Sequence, residues 1–327
     1  MGSILRHGGN AFELESVVGA GAFSRVWKAS GPQGAAVAVK ILSRRGHGKQ
    51  ARAERAAFQR EVDVLQHLSA VEPQPHASLP ALHVAFSRPS ADVLVLEYIG
   101  GGELLDLVND DRAHALLSES TLRRMWTELT DVVAWLHAHN VVHRDIKLEN
   151  ILLTSRFPAP PPPGAPLLKL TDFGLARAID PADPWLRTRC GSETYAAPEL
   201  LLASASADDE PAYTHLSRAP TDGGPEGAYD GRETDAWALG VVLFALATRR
   251  LPFGPPAEPA EAERRAWVRR VLKGDVEWPL ARRDREDGGE VCGEALGALE
   301  SVRRIVGRLL VREPAQRAAV AELVGAW

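Results

Sequence analysis

The chain has 327 residues, 45% of them hydrophobic and 25% charged, a formal net charge of -5 and two cysteines. That composition buries a sizeable core without metal or disulfide support, which excludes a small stapled module and a wholly disordered chain. The mild negative balance gives no general attraction to nucleic acid or to an anionic membrane.

The length exceeds one ordinary domain and predicts either one large domain or two lobes. The first ten residues carry no apolar stretch of the kind a secretory signal needs. Cys190 and Cys292 have no C-x-x-C spacing, so a reducing setting, cytoplasmic or nuclear, is expected. The longest apolar run, 236–247, is too short to span a bilayer and predicts a buried core helix.

Strand patterns come first. Residues 12–17 alternate, 35–41 are compact and apolar, and 92–98 repeat the pattern. Between them, residues 52–68 place Phe58, Val62, Leu65 and Leu68 at helical spacing, one helix to cover a sheet. Gly100, Gly101 and Gly102 suit a hinge. Beyond them Leu122, Met125, Leu129, Val132, Val133 and Leu136 line one helix face, and further helices are predicted over 234–247 and 295–310. The proline run at 157–164 and the polar stretch at 203–228 have no period that buries a face, and both predict solvent loops. The proline run suits a spacer better than a polyproline ligand.

The chemistry-bearing residues follow the same order. Gly19-Ala20-Gly21-Ala22-Phe23-Ser24 follows a strand, where small residues let backbone N–H groups approach phosphate oxygens, although a bare turn has the same look. No Gly-Lys-Ser/Thr ending makes it a Walker loop, and Arg25 to Ala29 continues as strand where a dinucleotide fold needs a helix. Lys40 closes an apolar strand and Glu61 lies on the covering helix, either a buried ion pair or two solvated charges. Then come His143-Arg144-Asp145-Ile146-Lys147-Leu148-Glu149-Asn150, Asp172-Phe173-Gly174 and Ala197-Pro198-Glu199.

In this order, and on these predicted elements, the motifs resemble those of the eukaryotic protein kinases, from about Phe12 to the last residue. The resemblance implies an α+β, bilobal fold: a small β-rich N-lobe with one main helix at about 12–98, a hinge at 99–103 and a larger, mainly helical C-lobe at 104–327. The insertions near 155–166 and 203–228 lie outside the motifs. It implies transfer of the γ-phosphoryl group of ATP, with magnesium, to protein substrates, a reaction that needs positioning and charge neutralisation more than covalent chemistry.

Residue by residue, the resemblance assigns Lys40 to the α- and β-phosphates with Glu61 holding it. Gly19, Ala20, Gly21, Ala22, Phe23 and Ser24 cover the phosphates, with Val26, Ala38, Leu96 and Leu152 around the nucleotide. Backbone groups of Glu97 and Ile99 bond adenine, and Glu103 reaches the ribose. Asn150 and Asp172 hold metal, Asp145 orients the attacking hydroxyl, and Lys147 steadies the phosphoryl group. Lys147 resembles the serine/threonine branch, and Thr188 to Glu199 is similar to calcium/calmodulin-dependent and AMP-activated kinases, with Ser192 beside Asp145 and Lys147.

A phosphate on Thr188, added by an upstream kinase, would pair with Arg144, unless Thr188 is only an exposed loop residue. Glu103 and Glu149 match positions that face substrate arginines in basophilic relatives. His143 is expected to be structural, Asp235 to bond the catalytic-loop backbone, and Arg317 to pair with Glu199. Two rivals remain: a pseudokinase scaffold, against which Lys40, Asp145, Asn150 and Asp172 stand retained, and a small-molecule kinase, which generally lacks Ala-Pro-Glu and the 235–240 helix.

Overall fold

Period-2 alternation sorts the first hundred residues into two faces of one sheet. The computed structural model describes residues 3–21, 24–44, 49–202, 225, 227–254, 261–279 and 291–327, so the expected phosphate-loop residues Ala22 and Phe23, and most of the 203–228 insertion, lie outside the described residues. Strands β1 (Ile4–His7), β2 (Asn10–Ala20), β3 (Ser24–Ser30) and β4 (Ala36–Ser43) precede helix α1 (Lys49–Ser69), and β5 (Leu82–Ser87) and β6 (Ala91–Glu97) follow it. All six pair antiparallel in the order β1-β2-β3-β4-β6-β5. The edge strand β1 was not visible as a sequence pattern.

Val37 and Val39 of β4, with Val93 and Val95 of β6, close a small core with Phe12, Leu14 and Phe86 on one face. Leu94 joins Phe58, Val62, Leu65 and Leu68 of α1 on the other, which merges with the core of the larger lobe. Lys40 pairs in register with Leu94. The pleat therefore puts Lys40 on the helix face and makes Glu61 its neighbour.

The connector after β6 owes its glycines partly to close approach. A Cβ at Gly101 would stand 2.2 Å from the Leu153 carbonyl oxygen. The Gly101 N–H donates to that oxygen, and the Leu153 N–H donates to the Gly102 oxygen, both at 2.9 Å. Only Gly102 of the three has a positive φ, 93°.

The larger lobe begins with α2 (Leu104–Asn109), α3 (Asp111–Ala115) and α4 (Glu119–Ala138). The six α4 residues expected on the core face are all buried. Four short strands follow, β7 (Val141–Val142), β8 (Ile151–Leu153), β9 (Leu168–Leu170) and β10 (Arg177–Ala178), which pair β8 with β9 and β7 with β10. The proline run joins β8 to β9, closed at its root by the Thr154 N–H on the Leu167 oxygen. Further along, β11 (Trp185–Leu186) pairs with β12 (Tyr229–Asp230), with α5 (Pro198–Leu202) between them in sequence.

Helix α6 (Gly231–Thr248) is the centre of this lobe, buried along nearly its whole length. Its start corrects the expected one. The cap is Asp230, whose side chain accepts the Arg232 N–H, so the helix opens three residues before Thr234. Helix α7 (Glu261–Lys273) and α8 (Glu300–Leu309) complete the lobe. The single helix expected over 295–310 is instead a 3₁₀ stretch at Gly293–Ala298 and then α8, separated by Leu299 in an extended conformation. Gly297 explains the break: a Cβ there would lie 2.8 Å from Thr248 Cγ2, so this stretch presses onto the end of α6. Among the described residues no helix is long and apolar enough to cross a membrane.

Candidate functional site

Two clusters of charge meet between the lobes. In the first, the Lys40 ammonium lies 2.7 and 3.0 Å from the two Glu61 carboxylate oxygens and 2.9 Å from Asp172 Oδ1. Burial alone would drive Lys40 toward neutrality, but the Glu61 and Asp172 carboxylates reverse this and hold it above its ordinary value. Burial, and then the Asp172 charge, hold the Glu61 carboxyl above its ordinary value although Lys40, 2.7 Å away, pulls it down. Burial also acts to raise Asp172, but Lys40 overrides it and the carboxyl sits below its usual range. The solvated-charge reading of Lys40 and Glu61 is thereby set aside.

The second cluster surrounds Asp145. Its Oδ1 accepts the Ser192 N–H and hydroxyl, each at 3.1 Å. Its Oδ2 lies 2.9 Å from Lys147 Nζ and accepts the Asn150 amide at 3.0 Å. Lys147 Nζ also donates to Ser192 Oγ at 2.9 Å. Asn150 spends its amide N–H groups on Asp145, which leaves its Oδ1 as an acceptor. Asp172, with φ 61°, turns into the left-handed region and keeps its side chain about half exposed. Together these are hard oxygen donors of the kind a magnesium ion shares with phosphates and water.

A buried scaffold fixes the loop that carries Asp145. Asp235 Oδ2 and Oδ1 accept the backbone N–H groups of His143 and Arg144 at 2.9 and 2.8 Å, and His137 Nε2 lies 2.9 Å from Oδ2. His143 is fully buried, pairs with the Thr171 oxygen and meets the Phe173 ring edge-on. Its structural role matches the expectation. Beneath α6, Arg317 donates to both Glu199 oxygens at 2.7 and 2.9 Å.

Of the remaining nucleotide residues, Gly19 packs on Val26 across the β2–β3 pair, Ala38 pairs with Leu96, and Leu152 bridges to Glu103. The Glu97 N–H is used by the Ala81 oxygen. Glu103 is raised by burial first, then by Asp106 and Glu149, which brings two of the expected acidic residues within electrostatic reach.

Thr188 and Arg144 come together, but through the backbone. The Arg144 guanidinium donates to the Thr188 carbonyl and to Tyr229 Oη. Arg177 is held below its ordinary value by burial first and then by Arg60 and Arg144, which marks a cluster of positive charge beside this segment.

Sequence reasoning missed two members of the site. Lys169, buried in β9, donates to Glu97 Oε2 at 2.7 Å and to the Leu79 oxygen at 3.1 Å, pinning the connector from behind. Its signal was a lysine inside an apolar strand, the same one that drew attention to Lys40. Tyr229 had no local signal, since its partners lie 41 and 85 residues away.

Glu233 gives the scaffold a pH dependence. Its Oε2 is buried without a partner. Burial first, then Asp230 and Glu199, push the carboxyl up to about 7 although Arg317 pulls it back. The folded chain then holds a proton that the unfolded chain releases near its ordinary value, so this contribution to stability is full at low pH and is lost as pH rises through about 7. Glu233→Gln is expected to raise stability by about 1–2 kcal/mol at about pH 8, after allowance for partial exposure, and by much less at about pH 5. Urea titrations at the two pH values check this. Equal gains would remove Glu233 as the titrating group.

A family model described as "Protein kinase domain" matches residues 12–326. The chain is 32% identical over 320 residues to CBL-interacting protein kinase 4 of Oryza sativa subsp. japonica, covering 95% of this chain and 56% of that protein. It is 31% identical over 250 residues to serine/threonine-protein kinase cds1 of Schizosaccharomyces pombe, covering 76% and 46%. With NUAK family SNF1-like kinase 1 of Homo sapiens it shares 26% identity over 317 residues, covering 97% and 38%. The chain thus spans about half the length, or less, of these relatives.

Proposed function

Since the chain belongs to the protein kinase family, we propose that it is a serine/threonine kinase that passes the γ-phosphoryl group of Mg-ATP to Ser or Thr hydroxyls of protein substrates. The observation that carries this reading is the double engagement of Lys40 with Glu61 and Asp172, which joins the small lobe to the metal-holding motif of the large one.

The chain's own residues divide the work. Lys40 presents a fixed positive charge to the nucleotide phosphates, oriented by Glu61. Asn150 Oδ1 and the Asp172 carboxylate would hold magnesium, which neutralises phosphate charge and aligns the γ-phosphate when bound. Asp145 accepts from the incoming hydroxyl in the place now taken by Ser192, and Lys147 stands beside it for the charge on the phosphoryl group.

A basic substrate fits best. Glu103 and Glu149 lie within electrostatic reach of each other, and a groove of about 1240 Å³ is lined by Glu149, Tyr195, Glu277 and Trp278. Arg249 and Arg250 also line it, so it is Glu149, beside Glu103, that would meet the arginine of a substrate. The test is transfer of labelled γ-phosphate from ATP to basic and acidic peptides, with and without magnesium. Magnesium-dependent labelling of the basic set supports the reading. Nucleotide binding with no transfer would move it to a scaffold.

Phosphorylation of Thr188 by an upstream kinase is proposed to raise activity above a basal level, its phosphate meeting Arg177 and Arg60, whose Nε is buried without a partner. Thr188→Ala is expected to keep basal transfer and lose the increment. Undiminished stimulation of that variant by an activating kinase would rule Thr188 out.

A further inference from the structure

The Thr188 carbonyl and the Tyr229 hydroxyl are fully used by each other and by Arg144. Tyr229 Oη accepts Arg144 Nε at 3.1 Å and Nη2 at 2.7 Å, and donates to the Thr188 carbonyl at 2.7 Å. Arg144 Nη2 donates to the same carbonyl. A phenol offers one proton and two lone pairs, and a carbonyl oxygen accepts two bonds. Both oxygens are therefore saturated, in a place where Tyr229 is 3% and Arg144 7% exposed.

The three residues belong to three different pieces of chain. Arg144 is in the catalytic loop, with φ 68°, its backbone N–H held by Asp235 of α6. Thr188 lies two residues past β11, and Tyr229 opens β12, directly ahead of the Asp230 cap of α6. The β11–β12 ladder sets Leu186 opposite Tyr229 and Trp185 opposite Asp230. The start of α6 thus grips the catalytic loop with Asp235 and the segment around Thr188 with Tyr229.

We propose that Tyr229 is a positioning residue that holds the segment around Thr188 in its ordered form before that threonine is phosphorylated, and so sets the basal activity. Arg144 has five N–H donors, and its bonds to Tyr229, the Thr188 carbonyl and the Leu175 oxygen commit four of them. A phosphate on Thr188 then draws chiefly on Arg177 and Arg60 and reinforces a segment already in place. The activity half of this inference rests on the kinase reading; the ordering half does not.

Tyr229→Phe deletes the hydroxyl and keeps the ring that lies 5.8 Å under the Arg144 guanidinium. The experiment compares parent and variant, each with threonine or genetically encoded phosphothreonine at position 188. Hydrogen exchange of residues 185–192 is read beside kcat/KM on a basic peptide. Without phosphate, the variant is expected to exchange about tenfold faster in that segment and to lose about tenfold in kcat/KM, the scale of the one bond its hydroxyl gives the Thr188 carbonyl. The KM for ATP stays near the parent's. Phosphothreonine is expected to restore both to within about threefold.

Exchange equal to the parent's, or a loosening that phosphothreonine does not reverse, overturns the proposal. Faster exchange shared by α4 also overturns it, because the variant would then have loosened as a whole. A parent that transfers no phosphate but shows the predicted exchange pattern supports the tether and overturns the kinase reading alone.

Discussion

Asp145→Asn is expected to lower kcat by about 10²- to 10⁴-fold, the range for losing a positioned general base, with the KM for ATP and the melting temperature close to the parent's. The separation follows from the two clusters. Lys40, Glu61 and Asp172 bond one another without Asp145. The Lys40 grip proposed for the nucleotide phosphates therefore does not pass through the substituted side chain, and Asn150 keeps its bond to the Asp145 backbone oxygen. The amide oxygen of asparagine can still accept from Ser192 or Lys147, so the loop stays in place, but it cannot draw a proton from an attacking hydroxyl. A variant that kept most of its kcat would assign Asp145 to holding Ser192 and Lys147 in place. A variant that lost ATP binding would show that the two clusters act as one.

Arg317→Met is expected to cost about 3–5 kcal/mol of stability, the usual result of removing one partner of a buried pair, and to lower Tm by about 5–10 °C. Only 1% of the Arg317 side chain is exposed. Besides both Glu199 oxygens, it donates to the carbonyls of Glu233, Val311 and Arg312 and lies over the Trp237 ring. Methionine fills much of the volume but leaves the Glu199 carboxylate charged and unpaired. Glu199→Gln in the same background should recover part of the loss by removing the stranded charge, and a double-mutant cycle measures that share. Single variants that melt with the parent would mean that other contacts hold α5 against α6.

The sequence carried most where one face of an element is buried along its length. Val62, Leu65 and Leu68 of α1, and Met125, Leu129 and Val133 of α4, repeat at helical spacing because each helix buries one face in the core. The charged motifs were legible for another reason: Lys40, Asp145, Asn150 and Asp172 belong to a known order of motifs, although only the structure brings them within bonding distance. The interruption at Leu299 was not legible, since it depends on how closely Gly297 presses on Thr248 of α6, a contact across 49 residues. Lys169 and Tyr229 escaped for the same reason. Each has partners distant in sequence; the lysine inside the apolar strand β9 was the one local sign, and Tyr229 had none.

The contact at Gly101 makes the connector and β8 a single mechanical piece. With no room for even a methyl group between Gly101 and the Leu153 carbonyl, and backbone bonds running both ways, the connector cannot swing without carrying β8 along. Asn150 stands at the head of that strand, next to Ile151. The connector is then a lever whose short arm ends at Asn150, the side chain proposed to hold metal. With a cation held by Asn150 as proposed, a swing of the connector would carry β8 and so reach the grip on that cation.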